Sequence, residues 1–214
     1  MKLFIDTGNI KDLEKLVPLG IIDGVTTNPS IMAKMGGDPR VLLKAICALV
    51  QGPVSAEVIA TDAKGMVREG RELAALDKHI VVKVPFGKDG LKACRTLVSE
   101  NTPVNVTLVF SASQALLAAK VGATYVSPFV GRLDDISASG MELIGQIIEI
   151  FENFEFSTEV LVASVRHPLH ILQAARMGAD ICTCPAAVVE SLFKHPLTDI
   201  GLKQFLTDWE KTNA

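Results

Sequence analysis

Short apolar runs with the length of β-strands recur along the chain. Most are near-continuous in valine, isoleucine and leucine, which is typical of parallel strands covered on both faces. Helix-like stretches separate them, and this alternation predicts an α/β fold, a closed (β/α)8 TIM barrel, in one domain over residues 1–214. An open doubly wound sheet is the alternative, but no Gly-x-Gly-x-x-Gly follows the first strand. The predicted strands are Leu3–Asp6, Gly24–Thr27, Val54–Ile59, Ile80–Val84, Val104–Phe110, Tyr125–Phe129, Val160–Val165 and Asp180–Cys184.

The last segment, about residues 198–214, is predicted to be an extra C-terminal amphipathic helix that a barrel does not require. Its apolar residues Leu202, Phe205, Leu206 and Trp209 are spaced i, i+3, i+4 and i+7, so they share one helix face. That face can pack on its own barrel or on a neighbouring subunit, and the pattern leaves both open.

Composition narrows the class of partner. The 214 residues are 49% hydrophobic and 21% charged, with a net charge of −3. This balance argues against nucleic acid or an anionic membrane surface as the main partner. No apolar run approaches the roughly 18 residues of a membrane span, and the N-terminus lacks the apolar stretch of a signal peptide.

The four cysteines lie in apolar surroundings without metal-type spacing. Residues of this kind are most often small core hydrophobes. We therefore expect a reduced, cytoplasmic protein. The cysteines are Cys47, Cys94, Cys182 and Cys184.

Lys83 is the most unusual charged residue in the pattern, because it lies inside Ile80–Pro85, the most apolar strand-like run. Lysine is rarely buried without a partner. Burial penalises the charged ammonium, and the neutral amine that it favours can form a Schiff base with a carbonyl. The alternative is a lysine at a strand end whose aliphatic stem reaches to water.

Polar side chains stand near the carboxyl ends of nearly all the predicted strands. In a parallel barrel these ends converge, and chemistry collects there. So many polar groups at equivalent depths predict a common centre. They are Asp6, Asn28, Glu57, Lys83, Thr107, Ser127 with Arg132 just beyond it, and Ser164 with Arg166.

Two of these residues also have plain structural interpretations. Pro29 pre-sets a helix start and holds Asn28 extended, which places its amide at the barrel mouth or simply makes a turn. Glu57 either forms a structural ion pair with Lys83 or shuttles protons through a water held by Thr107. The residues alone do not separate these alternatives.

The two late arginines, Arg132 and Arg166, favour a phosphate site, because barrels often bind phosphate late in the chain and the guanidinium fork fits phosphate oxygens. The alternative is that each pairs with a nearby acid, such as Asp134 or Asp135 beside Arg132.

The pair His167 and His170 is a candidate for a metal site, but Pro168 separates them and no third ligand stands at metal-like spacing. We expect no metal.

Seven ordered motifs cover essentially the whole chain. On them the chain resembles the small single-domain transaldolases, whose near relatives are the fructose-6-phosphate aldolases. The motifs are Asp6-Thr, Val-Thr-Thr-Asn28-Pro-Ser, Ala-Glu57-Val, Val-Val-Lys83-Val-Pro, Asn-Val-Thr107, Ser127-Pro-Phe129-Val-Gly-Arg132-Leu-Asp-Asp and Ala-Ser164-Val-Arg166-His-Pro.

The resemblance implies a role for each matched residue. Lys83 would be the Schiff-base lysine, and Asp6 the acid/base for carbon–carbon bond cleavage and formation. Glu57 and Thr107 would hold the water that shuttles protons during imine formation. The residues implied to bind substrate hydroxyls are Asn28 and Ser127, and those implied to bind its phosphate are Arg132, Ser164 and Arg166.

The resemblance also implies an assembly. Family members of this size form homo-oligomers, ring-like pentamers often paired into decamers, whose C-terminal helix reaches a neighbour. The apolar face near Leu202 agrees with that arrangement.

Two positions separate transferase from aldolase. By the same resemblance, the aldolase branch carries tyrosine where this chain has Phe129 and glutamine where it has Glu57. A phenol near the enamine would help to protonate it and release dihydroxyacetone, whereas phenylalanine offers no proton. Both positions point to transfer.

The resulting hypothesis is a transaldolase of the non-oxidative pentose phosphate pathway that uses no metal or organic cofactor and acts on sugar phosphates. A fructose-6-phosphate aldolase and a non-catalytic sugar-phosphate-binding barrel stay open as alternatives. A metal-dependent lyase is weakened by the missing ligand set.

Overall fold

The predicted strands form one closed parallel barrel in the computed structural model, which describes residues 1–212. Each strand pairs in parallel with the next, and β8 pairs with β1 to close the ring. The (β/α)8 prediction is confirmed. The strands are β1 Lys2–Asp6, β2 Gly24–Thr26, β3 Val54–Glu57, β4 Ile80–Pro85, β5 Val104–Val109, β6 Tyr125–Pro128, β7 Glu159–Val162 and β8 Ile181–Cys184.

Helices surround the barrel. A short 3₁₀ turn, Val17–Leu19, extends the first of them. No helix within residues 1–212 combines the length and the apolar character needed to cross a membrane. The helices are α1 Ile10–Leu16, α2 Pro29–Met35, α3 Pro39–Val50, α4 Ala63–Ala74, α5 Lys88–Ser99, α6 Ala112–Lys120, α7 Val130–Asp134, α8 Gly140–Asn153, α9 Pro168–Met177, α10 Ala186–Leu192 and α11 Pro196–Thr212.

Apolar side chains pack in two separate layers. The larger core lies between the sheet and the helices. A smaller cluster fills the barrel interior, and within it the rings of Phe4 and Tyr125 meet edge to face at 6.3 Å. Val81, Leu161, Ala163 and Ile181 complete this plug. Val81, Tyr125 and Ile181 lie near the starts of their strands, and polar groups such as Lys83 lie farther towards the carboxyl ends.

Strand β7 is shorter than predicted. It ends at Val162 rather than Val165, because Ser164 has a φ of 60° that an extended strand does not allow. Leu108 in β5 has a φ of 59°, and the pairing of β5 with β6 shifts in register there. A non-glycine residue in this left-handed region is strained, and such residues cluster at functional sites.

The C-terminal helix α11 carries its apolar residues on the surface of the single chain. No described residue of α11 is buried, and Leu197 and Phe205 are 70% and 74% exposed. The helix begins slightly before the predicted start at residue 198, and residues 213–214 of the predicted range lie outside the described residues.

Two helical glycines provide a paired test of this packing. A Cβ on Gly90 would overlap the carbonyl oxygen of Pro85, which is backbone and cannot turn away. We therefore expect Gly90→Ala to lower the free energy of unfolding by about 1–3 kcal/mol. Around Gly145 the nearest atom is Met177 Cε at 3.8 Å, so Gly145→Ala should raise that free energy by about 0.5–1 kcal/mol. Urea unfolding of both variants checks the difference; shifts of the same sign would contradict this packing.

Candidate active site

The buried Lys83 amine meets a carboxylate inside the barrel. Parallel pairing aligns Glu57 at the end of β3 with Lys83 in β4. The Nζ atom of Lys83 lies 3.1 Å from Glu57 Oε2 and donates a hydrogen bond to the carbonyl oxygen of Thr27 at 3.0 Å. The two charged side chains are only 6% and 13% exposed. Lys83 therefore does not reach to open water, and the ion pair that the sequence left open is present.

This pairing has two consequences. Removing one member of a buried ion pair leaves an uncompensated charge, which typically costs about 3–5 kcal/mol. Chemically, Glu57 lies close enough to Lys83 Nζ to accept a proton from it, which would leave a neutral amine in the barrel interior. The same geometry is therefore compatible with a structural ion pair and with Glu57 acting as a proton acceptor.

Asp6 ends β1 and is held by hydroxyl groups. Thr26 Oγ1 donates to Asp6 Oδ1 at 2.7 Å and lies 2.7 Å from Thr183 Oγ1. Because a hydroxyl has one hydrogen, Thr183 is the donor in the second bond. Burial raises the pKa of the Asp6 carboxyl, against the smaller lowering by the Thr26 hydrogen bond and the charge of Lys83. A carboxyl whose pKa is raised is suited to exchange protons near neutral pH.

A second hydrogen-bond chain crosses the barrel interior. Ser127 Oγ donates to Asn105 Oδ1 at 2.7 Å, and Asn105 Nδ2 donates to Ser55 Oγ at 3.1 Å. All three side chains are buried. Since the Ser127 hydrogen is used in this chain, its oxygen remains able to accept a hydrogen bond from a ligand hydroxyl.

Thr107 lies on β5, and its hydroxyl is buried. Within residues 1–212, Thr107 Oγ1 is the buried side-chain polar atom without a hydrogen-bond partner. Buried hydroxyls normally have a partner, so this one has capacity for a water or a substrate atom.

The inner residues of this polar layer were not predicted from the sequence. One signal was available: Asn105 lies two residues before Thr107, so both point to the same face of β5, and its register with Lys83 places it inside the barrel. The missed residues are Thr26, Ser55, Asn105 and Thr183.

Asn28 has the structural role that the sequence offered as an alternative. It is extended, with φ −153°, and its Oδ1 accepts from the Ile31 amide at 2.9 Å as the N-cap of α2. Pro29 follows as the first helical residue, as predicted. The amide NH2 of Asn28 is not used in this cap.

The loops after β6 and β7 bring the remaining predicted residues close together. The Gly131 amide donates to the Ser164 carbonyl oxygen at 3.0 Å. Arg166, and not Arg132, forms the ion pair with Asp135, at 2.9 Å. Because both of these charged groups are more than half exposed, the pair contributes little and leaves Arg166 free to bind a ligand anion.

Phe129 provides an apolar wall beside these loops. Its ring centroid lies 5.6 Å from that of Phe110, and the guanidinium carbon of Arg132 lies 4.9 Å from its centre. Phe129 also packs against the cluster inside the barrel. The ring thus connects the interior with the arginine-bearing helix α7.

The rings of His167 and His170 stack at 3.9 Å. Among the described residues, no group of three or more histidine, cysteine, aspartate or glutamate side chains is arranged to hold a metal ion.

A cavity of about 520 Å³ opens beside the site. It shares Thr27, Asn28 and Glu57 with the site, but Lys83 is not among its lining residues. Its other walls come mainly from α2, α3 and α4, so it extends outward from the barrel mouth.

The fold and the site together define a (β/α)8 barrel with a buried lysine–carboxylate pair at its carboxyl end. Residues 3–214 match the family model described as Transaldolase/Fructose-6-phosphate aldolase. The chain therefore belongs to the transaldolase/fructose-6-phosphate aldolase family, and the resemblance seen in the motifs is confirmed.

Relatives in curated proteins agree. A "Probable transaldolase" of Aquifex aeolicus is 60% identical over 211 residues, covering 99% of this chain and 97% of that protein. Another, from Methanococcus maripaludis strain C5, is 56% identical over 210 residues and covers 98% of each chain. Among solved structures, a flavocytochrome b2 variant with sulfite bound superposes with a TM-score of 0.63 over 87% of this chain and 57% of that one. At 15% identity this last likeness concerns the fold alone.

Thr26 offers a direct test of the Asp6 environment. Its hydroxyl stabilises the ionised carboxylate, so Thr26→Val should raise the pKa of Asp6 above its already elevated position. The measurement is a ¹³C-carboxyl NMR titration, with Asp6→Asn used to assign the signal. Thr183→Val, which removes a neighbour of Thr26 and not of Asp6, should cause a smaller shift. An unchanged Asp6 titration in Thr26→Val would contradict this account.

Proposed function

We propose that the chain is a transferase that moves a dihydroxyacetone unit between sugar phosphates through a Schiff base on Lys83. The donor is sedoheptulose 7-phosphate or fructose 6-phosphate, and the acceptor is glyceraldehyde 3-phosphate or erythrose 4-phosphate. The observation that carries this proposal is the buried Lys83 amine, 3.1 Å from Glu57 in the barrel interior. The family and the relatives named probable transaldolase support it.

Imine formation begins with the ion pair. Glu57 accepts a proton from Lys83 Nζ, and the neutral amine attacks the C2 carbonyl of the ketose. Loss of water from the resulting carbinolamine requires a proton on the departing oxygen. Glu57 returns its proton through a water held at the Thr107 hydroxyl, whose hydrogen-bonding capacity is not used by residues 1–212. The product is an iminium on Lys83.

The iminium then acts as an electron sink for bond cleavage. Asp6 takes the proton of the C4 hydroxyl, the C3–C4 electron pair moves towards the iminium, and an aldose phosphate leaves. The raised pKa of Asp6 suits a group that accepts this proton and later returns it to the new product. The enamine left on Lys83 attacks the acceptor aldehyde, and hydrolysis releases the new ketose.

The surrounding residues orient the substrate. The Asn28 amide and the Ser127 oxygen bind its hydroxyls, while Arg132, Ser164 and Arg166 bind its phosphate. Phe129 offers no proton to the enamine, and its neighbour Phe110 is also apolar. The intermediate therefore waits for an aldehyde, which favours transfer over release of dihydroxyacetone.

Neither a metal nor an organic cofactor is needed in this scheme. The free, buried cysteines suit the reducing cytoplasm, where the non-oxidative pentose phosphate pathway would supply the substrates. We also propose that the protein is a homo-oligomer, a pentamer or a decamer, in which α11 packs on a neighbouring copy.

Trapping the imine tests the central step. Borohydride treatment with fructose 6-phosphate should leave a three-carbon adduct on the Lys83 peptide, detected by mass spectrometry. Lys83→Met should lose the adduct. Lys88→Met, which changes an exposed lysine at the start of α5, should keep it.

Activity measured with and without an acceptor aldehyde separates the alternatives. Product that forms only when an acceptor aldehyde is added supports the transferase. Dihydroxyacetone released at a similar rate without acceptor would instead identify an aldolase. Folded protein with no adduct from any ketose phosphate would refute the mechanism and leave a sugar-phosphate-binding barrel.

The oligomer proposal has its own test. Phe205→Asp places a charge on the exposed apolar surface of α11 and should yield a smaller species in light scattering. Lys203→Asp, on the same helix, should keep the wild-type mass. An unchanged mass in Phe205→Asp would remove α11 from the interface.

A further inference from the structure

His170 is a buried histidine that no step of the proposed reaction uses. It lies in the first turn of α9 and is 4% exposed. Its Nδ1 accepts a hydrogen bond from the Arg166 amide at 3.2 Å, and its Nε2 lies 2.8 Å from Asp134 Oδ2. Arg166 belongs to the loop after β7, and Asp134 is the last residue of α7, the helix that carries Arg132. One imidazole therefore joins the two segments that carry both arginines.

The contacts determine the protonation state of the ring. A backbone amide can only donate, so Nδ1 carries no hydrogen, and Nε2 carries the hydrogen that is donated to Asp134. A neutral ring is thus required. Burial lowers the pKa of His170, helped by the stacked His167 and by Arg166 and opposed by Asp134. Burial, the largest of these effects, therefore favours the neutral form that the geometry needs.

The connection is reinforced on both sides of the ring. Asp134 Oδ1 accepts from the Gly140 amide at 3.0 Å, which ties the end of α7 to the start of α8. Gly131 donates its amide to the Ser164 carbonyl oxygen at 3.0 Å. A Cβ on Gly131 would overlap that oxygen and lie 2.6 Å from Arg166 Nε. The two segments are therefore in close contact, and His170 closes the network at its buried end.

We propose that His170 is a positioning residue that holds Ser164 and Arg166 in register with Arg132, so that the phosphate site exists before the ligand arrives. Preorganised groups bind more tightly because less ordering is needed on binding. The proposal rests on the proposed function only in taking a phosphate as the ligand of these residues. A histidine that merely stabilised the fold would affect all substrates alike.

Three substitutions of His170 remove its bonds to the Arg166 amide and to Asp134 singly or together. His170→Asn keeps an acceptor near the Arg166 amide, His170→Gln keeps a donor near Asp134, and His170→Phe removes both. Titration calorimetry gives the Kd of inorganic phosphate for each variant, and steady-state kinetics compare fructose 6-phosphate with unphosphorylated fructose. His79→Gln, just before β4 at the opposite end of the barrel, is the control.

His170→Phe should raise the phosphate Kd and the KM for fructose 6-phosphate about tenfold, the usual order for losing one or two hydrogen bonds, with kcat within about twofold. The ratio of kcat/KM for phosphorylated to unphosphorylated sugar should fall by a similar factor. His170→Asn should recover part of the loss, because it restores the bond to the Arg166 loop. His79→Gln should match the wild type.

Two results would overturn the proposal: an unchanged phosphate Kd in His170→Phe and His170→Asn alike, or equal losses with both sugars. Wild-type protein that binds no phosphate would overturn it as well. If His170→Phe does not fold, His170→Gln decides the question: it lacks the bond to the Arg166 amide and should raise the phosphate Kd, and an unchanged Kd would overturn the proposal. Failure of the proposed function is distinct, since it appears as a missing Lys83 adduct while the phosphate Kd remains measurable.

Discussion

The rest of the site depends on one buried contact, the ion pair between Lys83 and Glu57. Two charges inside a barrel lose their hydration, and their mutual attraction only partly offsets this cost in free energy. The barrel accommodates them by dividing its interior: an apolar plug around Phe4 and Tyr125 fills one part, and a hydrogen-bonded polar layer lies beside it. The pair thus lies between the apolar plug and the polar layer, where little water reaches it.

The carboxyl rim of the barrel is less regular than its floor. Leu108 and Ser164 both adopt left-handed backbone conformations there, one beside Thr107 and the other in the loop after β7. Arg166 rests on the exposed carboxylate of Asp135, a weak contact that an incoming anion can replace. By contrast, the buried residues beneath this rim, His170 and Gly131, are both held by hydrogen bonds. A binding site for a charged ligand requires rigid buried support together with exposed contacts that the ligand can replace.

Much of this arrangement was visible in the sequence, for a clear reason. Charged residues inside apolar runs are costly, so Lys83 and Glu57 stood out, and the repeated runs predicted the barrel. Burying threonine, serine or asparagine in a strand costs less free energy than burying a charge, so such residues do not stand out in a sequence. Thr26 and Asn105 were therefore recognised only from the register, which places them inside the barrel. His170 was considered only as half of a metal motif, because its partners Asp134 and Arg166 come from different segments that only the fold brings together.

The two carboxylates of the site show how environment divides similar groups between different tasks. Glu57 faces an ammonium at 3.1 Å and can trade a proton with it. Asp6 faces hydroxyls instead, and burial raises the pKa of its carboxyl although Lys83 opposes the shift. In the proposed mechanism the carboxylate beside the amine serves imine formation, and Asp6, hydrogen-bonded to Thr26, serves the substrate hydroxyl. Acid–base chemistry needs groups in different surroundings, and here the difference follows from which strand each carboxylate ends.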